Sequence, residues 1–312
     1  MTQLIARRFV GLIFVLLAIT FTTFLVGHLA PGDPIRVLLG NRQDPALYER
    51  LRHLYGLDVP WVQQYLNYVN KLLQGDLGLS FRYQGRSVSD LLLVGVPVSF
   101  GLGAVALLFS LGIGIPLGII SALRQNSLFD RTSMVLILIL YSIPSFVLIP
   151  ILRAINYLSY SRAGPSLPVA GWGTPQHWIM PVLVLSAASL GYIARLTRFS
   201  MLEVLRQDYI RTAFSKGLRA RRVYIVHALR NAILPLLTVI GPSVAFLVTG
   251  AFVVENLFSI PGVGYLAVQA IGQRDYPVIQ GTTVILAVAV VLMNFFTDIA
   301  YMLADPRVRV ES

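Results

Sequence analysis

The 312 residues include no cysteine, which excludes a disulfide framework, a thiolate nucleophile, an iron–sulfur cluster and any Cys-ligated zinc. Charge is scarce as well: Asp, Glu, Lys and Arg make up 12% of the chain, against about 25% in an ordinary soluble domain. The four histidines, His28, His53, His177 and His227, are scattered without a metal-ligand spacing, so no metal is predicted. A G-x-x-x-x-G-K-[ST] phosphate loop is missing; Lys216-Gly217 is reversed and lacks the hydroxyl. No GxSxG elbow and no pair of acids within an apolar run is present. These absences argue against an enzyme and against a proton-coupled carrier. No catalytic residue is assigned, and Asp298 falls at the end of the last apolar run rather than within it.

What the chain has in excess is apolar surface. Hydrophobic residues make up 56% of it and the mean hydropathy is +0.72, more than one globular core can hold, so lipid is the solvent for much of the surface. The net charge of +11 raises nucleic acid as a partner, but in a membrane protein Lys and Arg collect in cytoplasmic loops for topological reasons.

Stretches of at least 17 residues without Asp, Glu, Lys or Arg mark six candidate spans, because about 20 apolar helical residues cross the hydrocarbon core. They are Phe9 to Ala30, Ser99 to Leu123 with an interfacial approach and bends at Pro97 and Pro116, a third between Arg131 and Arg153, a fourth starting near His177, Asn231 to Val254, and Tyr276 to Thr297. A cleaved signal peptide is the other reading of the first, but the run exceeds a 7–15-residue h-region and no small-x-small site follows it. Even parity puts both termini on one side. That side carries 2, 2, 9 and 2 basic residues in the N-terminus, 124–131, 195–230 and the C-terminus; the other side carries 2 in 153–176 and 1 in 255–275. Residues 31–90, with 7 basic and 6 acidic residues, report poorly because long segments cross regardless of charge. Both termini are therefore predicted to be cytoplasmic, and the surplus charge is what orientation needs, which removes the nucleic-acid reading.

The chain divides on this reading into a first spanning helix (1–30), an extracytoplasmic helical insertion (31–90), a five-helix core (91–297) and a cytoplasmic tail (298–312). In the insertion, Asp44-Pro45 caps a helix whose Leu47, Leu51 and Leu54 share a face and which Gly56 ends. A second helix runs from about Pro60 to Leu73, and Gly75 stops it. The insertion is either a docking surface for a soluble protein or a solvated connector. The outer loop 255–275 carries Pro261, Gly262 and Gly264, then a short amphipathic helix from Tyr265; it caps a pathway or simply packs. In 195–230, Leu202, Leu205, Tyr209, Ala213 and Phe214 recur at helical spacing, Gly217 breaks the run, and Val223, Tyr224, Val226 and Ala228 predict a second helix. This helix–Gly–helix hairpin either engages a partner or lies on anionic lipid.

YIRTAFSKG (Tyr209 to Gly217) followed by HALRNAILP (His227 to Pro235) closely resembles the EAA-type loop of permeases of ATP-binding-cassette importers, in the form of the dipeptide, oligopeptide, glutathione and nickel uptake branch. LAPGDP (Leu29 to Pro34), YGLDVPWVQQYLNYV (Tyr55 to Val69), QGDLGLSF (Gln74 to Phe81), ENLFSIPGVG (Glu255 to Gly264) and RDYPVIQG (Arg274 to Gly281) match the same branch in order and spacing along nearly the whole chain. The resemblance implies an all-α polytopic inner-membrane permease with the six-helix type I importer fold, which forms the pathway for peptides or a related small solute. It implies a second homologous permease, two ATPase subunits that bind the ATP and Mg, and an extracytoplasmic substrate-binding protein, with no cofactor on this chain. It implies that Tyr209, Arg211, Thr212, Ala213, Lys216, Gly217 and Leu218 form the ATPase-coupling interface, and that Trp61, Gln64, Tyr65, Glu255, Pro261 and Gly262 face the binding protein. The competing reading is a stand-alone secondary transporter or channel.

Two departures bear on the hairpin. Arg211 stands where the wider superfamily has Glu, and the second helix begins with Arg219, Arg221 and Arg222 and no Ser, Thr or Asp cap. Small residues in the second span include the G-x-x-x-G pair Gly114 and Gly118, a face for close helix packing within the chain or against a second permease.

Overall fold

The computed structural model describes residues 2–29, 32–39, 44–83, 85–163 and 166–304, and among them the regular secondary structure is helical apart from a single isolated bridge between Leu79 and Ser87. The expected end of the first span at Ala30, the Gly164-Pro165 break and the tail beyond Ala304 lie outside the described residues. The helices are α1 (Thr2–Leu29), α2 (Pro34–Leu39), α3 (Pro45–Leu54), α4 (Trp61–Leu73), α5 (Val88–Leu123), α6 (Leu128–Ser142), α7 (Ser145–Ala163), α8 (Gln176–Leu205), α9 (Asp208–Ser215), α10 (Ala220–Arg222), α11 (Arg230–Ala232), α12 (Leu234–Phe258), α13 (Val263–Gln273) and α14 (Tyr276–Ala304), with a π-helical segment, Val223–Leu229, between α10 and α11. Within this set, Gly11–Leu29, Val88–Leu123, Gln176–Leu205 and Tyr276–Thr297 are each long and apolar enough to cross a membrane. Two broken pairs, Leu128–Ser142 with Ser145–Ser159 and Ala251–Phe258 with Val263–Gln273, pass the same test together and bring the number to as many as six.

Two spans differ from the sequence reading. The second starts at Val88 rather than Ser99, because the Ser87 hydroxyl accepts the Asp90 N–H at 3.0 Å and caps the helix eleven residues earlier. At ~1.5 Å per residue its 36 residues exceed the hydrocarbon thickness. The third span is two helices bent by 112°. Ile143, held extended (φ −82°, ψ 119°) by the following Pro144, terminates α6.

The chain separates into two compact units, residues 1–99 with 261–291 and residues 100–260 with 292–312. The core of the first contains Val88, Leu92, Val263, Ala270 and Val278. Gly95 lets the α5 backbone approach Gly262, where a Cβ would stand 3.2 Å from the Gly262 carbonyl carbon, and the Ser99 hydroxyl accepts the Val263 N–H at 2.8 Å. The second unit is organised around α8, which packs against α6, α7 and α12 and buries 67% of its most apolar stretch. The G-x-x-x-G face packs on this helix within the chain: a Cβ at Gly118 would lie 2.5 Å from the Ala194 carbonyl oxygen and 2.6 Å from Thr197 Cβ. Arg198 of α8 forms a two-pronged ion pair with buried Asp130 of α6 at 2.6 and 2.7 Å, and the Asn126 N–H also donates to that carboxylate.

Candidate functional site

The hairpin after α8 is built by three local devices. First, α8 stops at Leu205 and Gln207 is extended (φ −73°, ψ 147°), so Leu202 and Leu205 belong to α8 and the hairpin proper begins at Asp208; the sequence had joined them in one helix. Second, α9 closes in a Schellman turn. The Leu218 N–H donates to Ala213 O and the Gly217 N–H to Phe214 O, with Gly217 at φ +73°. Third, the returning limb runs through the π-helical segment Val223–Leu229, in which residues five apart share a side. Val223 and Ala228 are both fully buried as a result. No residue pattern in the sequence marks that inserted register.

One side of the hairpin packs on its own chain. Ile210, Ala213, Val223, Ala228 and Ala232 form a cluster with Ala122 and Met201, and Leu218 packs against it. This corrects the sequence assignment of Ala213 to a docking surface: its methyl faces inward, 7% exposed, and holds α9 to the rest of the chain. The other assigned positions lie on the opposite side. Tyr209, Arg211, Thr212, Lys216 and Gly217 are exposed, and Leu218 is half-buried at the turn. The Tyr209 hydroxyl accepts from Asn231 Nδ2 at 2.8 Å, tying the two limbs together, while Phe214 and Tyr224 meet edge to face at 5.9 Å. Arg211 pairs with Asp208 within the helix at 3.5 Å, and Arg219, Arg221 and Arg222 are exposed at the uncapped start of the second limb. The arrangement is an anchored hairpin that presents a basic, aromatic face.

Of the residues assigned to the binding-protein face, several are covered. Glu255 and Gly262 are buried, and Tyr65 is packed against α1, where its ring meets Phe21 and Phe24 at 5.3 and 5.4 Å. Gln64 is half-buried and donates its amide to Val59 O at 2.7 Å; Trp61 and Pro261 are exposed. The insertion is instead organised by a residue that sequence reasoning passed over. Asp275, buried, accepts the Ser80 hydroxyl at 2.5 Å and the Phe81 and Arg82 N–H groups at 3.1 Å, so GDLGLSF and RDYPVIQG, two separately recognised motifs, meet at one carboxylate. Tyr55 packs edge-on against Phe81 at 4.6 Å, and burial pushes its phenol above the usual range. The Tyr48 phenol is also raised, chiefly by the 2.5 Å hydrogen bond it donates to Asp33. These groups border a cavity of about 780 Å³. In the other unit, Arg153 donates to Val169 O and Leu257 O and stacks 5.0 Å from Phe258. Among the described residues no group of three His, Asp or Glu side chains is placed to hold a metal ion.

With that geometry in view, the comparisons with known proteins place the chain. Residues 114–310 match the family described as binding-protein-dependent transport system inner membrane component, and residues 1–98 match the N-terminal part of such membrane components. The chain is 41% identical over 312 residues to the dipeptide transport system permease protein DppB of Bacillus subtilis (strain 168), covering 99% of this chain and 98% of that one. It is 38% identical over 337 residues to the dipeptide permease DppB of Escherichia coli (strain K12), covering 99% of each, and 39% identical over 295 residues to the oligopeptide permease OppB of Haemophilus influenzae, covering 93% and 94%. A structure of the methionine ABC transporter MetNI in inward facing conformations superimposes with a TM-score of 0.58 at 20% identity, over 69% of this chain and 96% of that one. The chain belongs to the binding-protein-dependent transport system inner membrane component family. It is a multi-pass inner-membrane permease subunit of such an importer, and the all-α polytopic type I importer fold expected from the sequence stands, with four to six candidate spans among the described residues. Membership of this family displaces the stand-alone carrier or channel as a reading.

Proposed function

We propose that this permease passes short peptides, and that it is driven through the α9 hairpin by separate ATPase subunits. The observation that carries the peptide assignment is likeness over the full length, about 40% identity, to permeases named for di- and oligopeptides. A second permease completes the pathway, one of the two ATPases docks on the exposed face formed by Tyr209, Arg211, Thr212, Lys216 and Gly217, and a binding protein delivers the solute through the exposed Trp61 and Pro261. The chain itself is non-catalytic and binds neither nucleotide nor metal. Mechanically, the buried Ile210–Ala213–Val223 side makes the hairpin one body with α8, so a displacement of the ATPases that favours one of two permease states is passed to the spanning helix instead of being absorbed in a loop.

The test is reconstitution in liposomes with the partner permease, ATPases and binding protein, followed by ATP-dependent uptake of radiolabelled dialanine. Uptake that needs all components is expected; a complex that accumulates another solute but no di- or oligopeptide overturns the peptide assignment. Orientation is read separately. The chain has no native cysteine, so in intact cells Asn67→Cys should react with an impermeant thiol reagent and Ser215→Cys should not. Labelling at Ser215 would reverse the topology.

A further inference from the structure

We propose that α4, in the segment that the sequence reads as an extramembrane insertion, is embedded in the bilayer and presents its apolar stripe to the acyl chains of the leaflet nearer Leu29. The reasoning begins with depth. Arg7 and Arg8 mark one end of the apolar part of α1, and about 20 residues cross the hydrocarbon core, which puts the far boundary of α1 near His28. Tyr65 of α4 meets α1 well below that level. Its hydroxyl lies 3.2 Å from Thr20 Oγ1 and donates to Leu17 O at 3.3 Å, and its ring contacts Phe21 and Phe24. At 1.5 Å per residue, Leu17 and Thr20 are about 12 to 17 Å inside the boundary. Thr20 and Phe24, one turn apart, are the buried members among the described side chains of α1, so the face of this spanning helix that is covered is the one that meets α4.

The composition of α4 fits that depth. Its thirteen residues, WVQQYLNYVNKLL, carry one charge, Lys71, on a long stem able to snorkel. Val62, Leu66, Val69 and Leu73 follow at i, i+4, i+7 and i+11, a single stripe, and three of them are conspicuously uncovered: Val62 at 50%, Leu66 at 61% and Leu73 at 82%. Gln63, Asn67, Asn70 and Lys71 occupy the other side. Trp61 stands at the helix start, where an indole suits the membrane–water boundary. The same unit carries further uncovered apolar side chains on α1, a helix apolar enough to span, namely Phe14, Leu17, Val26 and Leu29. One apolar face, one polar uncharged face and a single Lys let this helix sit deeper than the Lys/Arg-rich helices that lie at the headgroup level. The Thr20 hydroxyl, which hydrocarbon cannot satisfy, finds partners in Leu17 O and Tyr65.

This inference does not depend on which solute is carried, and its test does not read transport. Leu66→Cys, Leu73→Cys and Asn67→Cys variants of the full chain, assembled with its partner subunits in liposomes, are spin-labelled, and collision with molecular oxygen is compared with collision with a water-soluble nickel chelate. Labels at Leu66 and Leu73 are expected to favour oxygen over the nickel chelate, and the label at Asn67 the reverse. Fluorescent labels at the same sites should be quenched by acyl-chain doxyl lipids at Leu66 and not at Asn67. Preference for the nickel chelate at Leu66 would put α4 in water. Exclusion of both reagents there would show that protein covers the stripe. Either result overturns the proposal, and neither bears on peptide uptake.

Discussion

Replacing Gly217 with valine separates the two roles that a hairpin can have. Gly217 sits at φ +73° and nothing stands within 4 Å of where its Cβ would be, so the penalty is confined to the backbone: about 1–2 kcal/mol for an L-residue in the left-handed region, more for a β-branched one. The Schellman bonds from Leu218 N to Ala213 O (3.4 Å) and Gly217 N to Phe214 O (2.9 Å) close the turn, and relieving the strain requires giving them up, which redirects the exposed Lys216 and Arg219. Because the spans are built elsewhere, insertion and yield should be unchanged. An interface loss of 1–2 kcal/mol corresponds to roughly 5- to 30-fold weaker association. Gly217→Val should therefore lower the affinity for the ATPase subunits by that factor in a pull-down titration and reduce uptake, while Gly217→Asn, which tolerates positive φ, should retain most of both. Wild-type affinity and uptake in the valine variant would refute the argument that the turn geometry positions the docking face.

Further outcomes follow from single contacts. Gly118→Ala should lower the melting temperature of the detergent-purified chain, since overpacking against Ala194 O and Thr197 costs about 1–3 kcal/mol, whereas Gly112→Ala, with nothing within 4 Å, should be neutral or stabilising by up to ~1 kcal/mol; thermal scans of the two variants should rank them in that order. Asp275→Ala leaves the Ser80 hydroxyl and the Phe81 and Arg82 N–H groups without their acceptor, about 1–3 kcal/mol for each group that stays buried, and should expose residues 79–88 to limited proteolysis before any loss of the spanning helices. Arg198→Met strands the buried Asp130 carboxylate and should cost about 3–5 kcal/mol, whereas Arg198→Met combined with Asp130→Leu should recover much of it in a double-mutant stability cycle. Ala213→Asp should act on the hairpin from inside, reducing the yield of folded chain as well as transport, because the carboxylate would enter the Met201–Ile210–Val223 cluster; normal yield with a purely uncoupled phenotype would place Ala213 outside.

The sequence by itself determined where most of the apolar spans lie and the capped outer helix α3, because both are written in local chemistry. A run of about 20 apolar residues is a statement about hydrocarbon thickness, and Asp44-Pro45 and Gly56 specify the ends of α3 through their own backbone and side-chain groups: Asp44 accepts the Ala46 and Leu47 N–H groups, and Gly56 lies at φ +66°. The Ser87-Val88-Ser89-Asp90 cap of α5 is equally local, but Asp90 interrupts the uncharged run, so the run by itself marks a later start. Gly217 was read as a helix stop for the same reason, and its positive φ agrees. Only the tertiary structure decided which faces are covered. Ala213 and Arg211 are two residues apart on one short helix, yet one is buried and the other exposed according to where α8 and the π-helical limb pass. Asp275 and Ser80 are 195 positions apart, a separation at which no periodicity carries information. Tyr65 was assigned to the binding-protein face through the likeness of its motif, and it is instead a partner of α1 because Thr20 and Leu17 offer it hydrogen bonds. Local patterns encode the free energy of a segment against its solvent, whereas pairing depends on which surfaces the fold brings within contact distance.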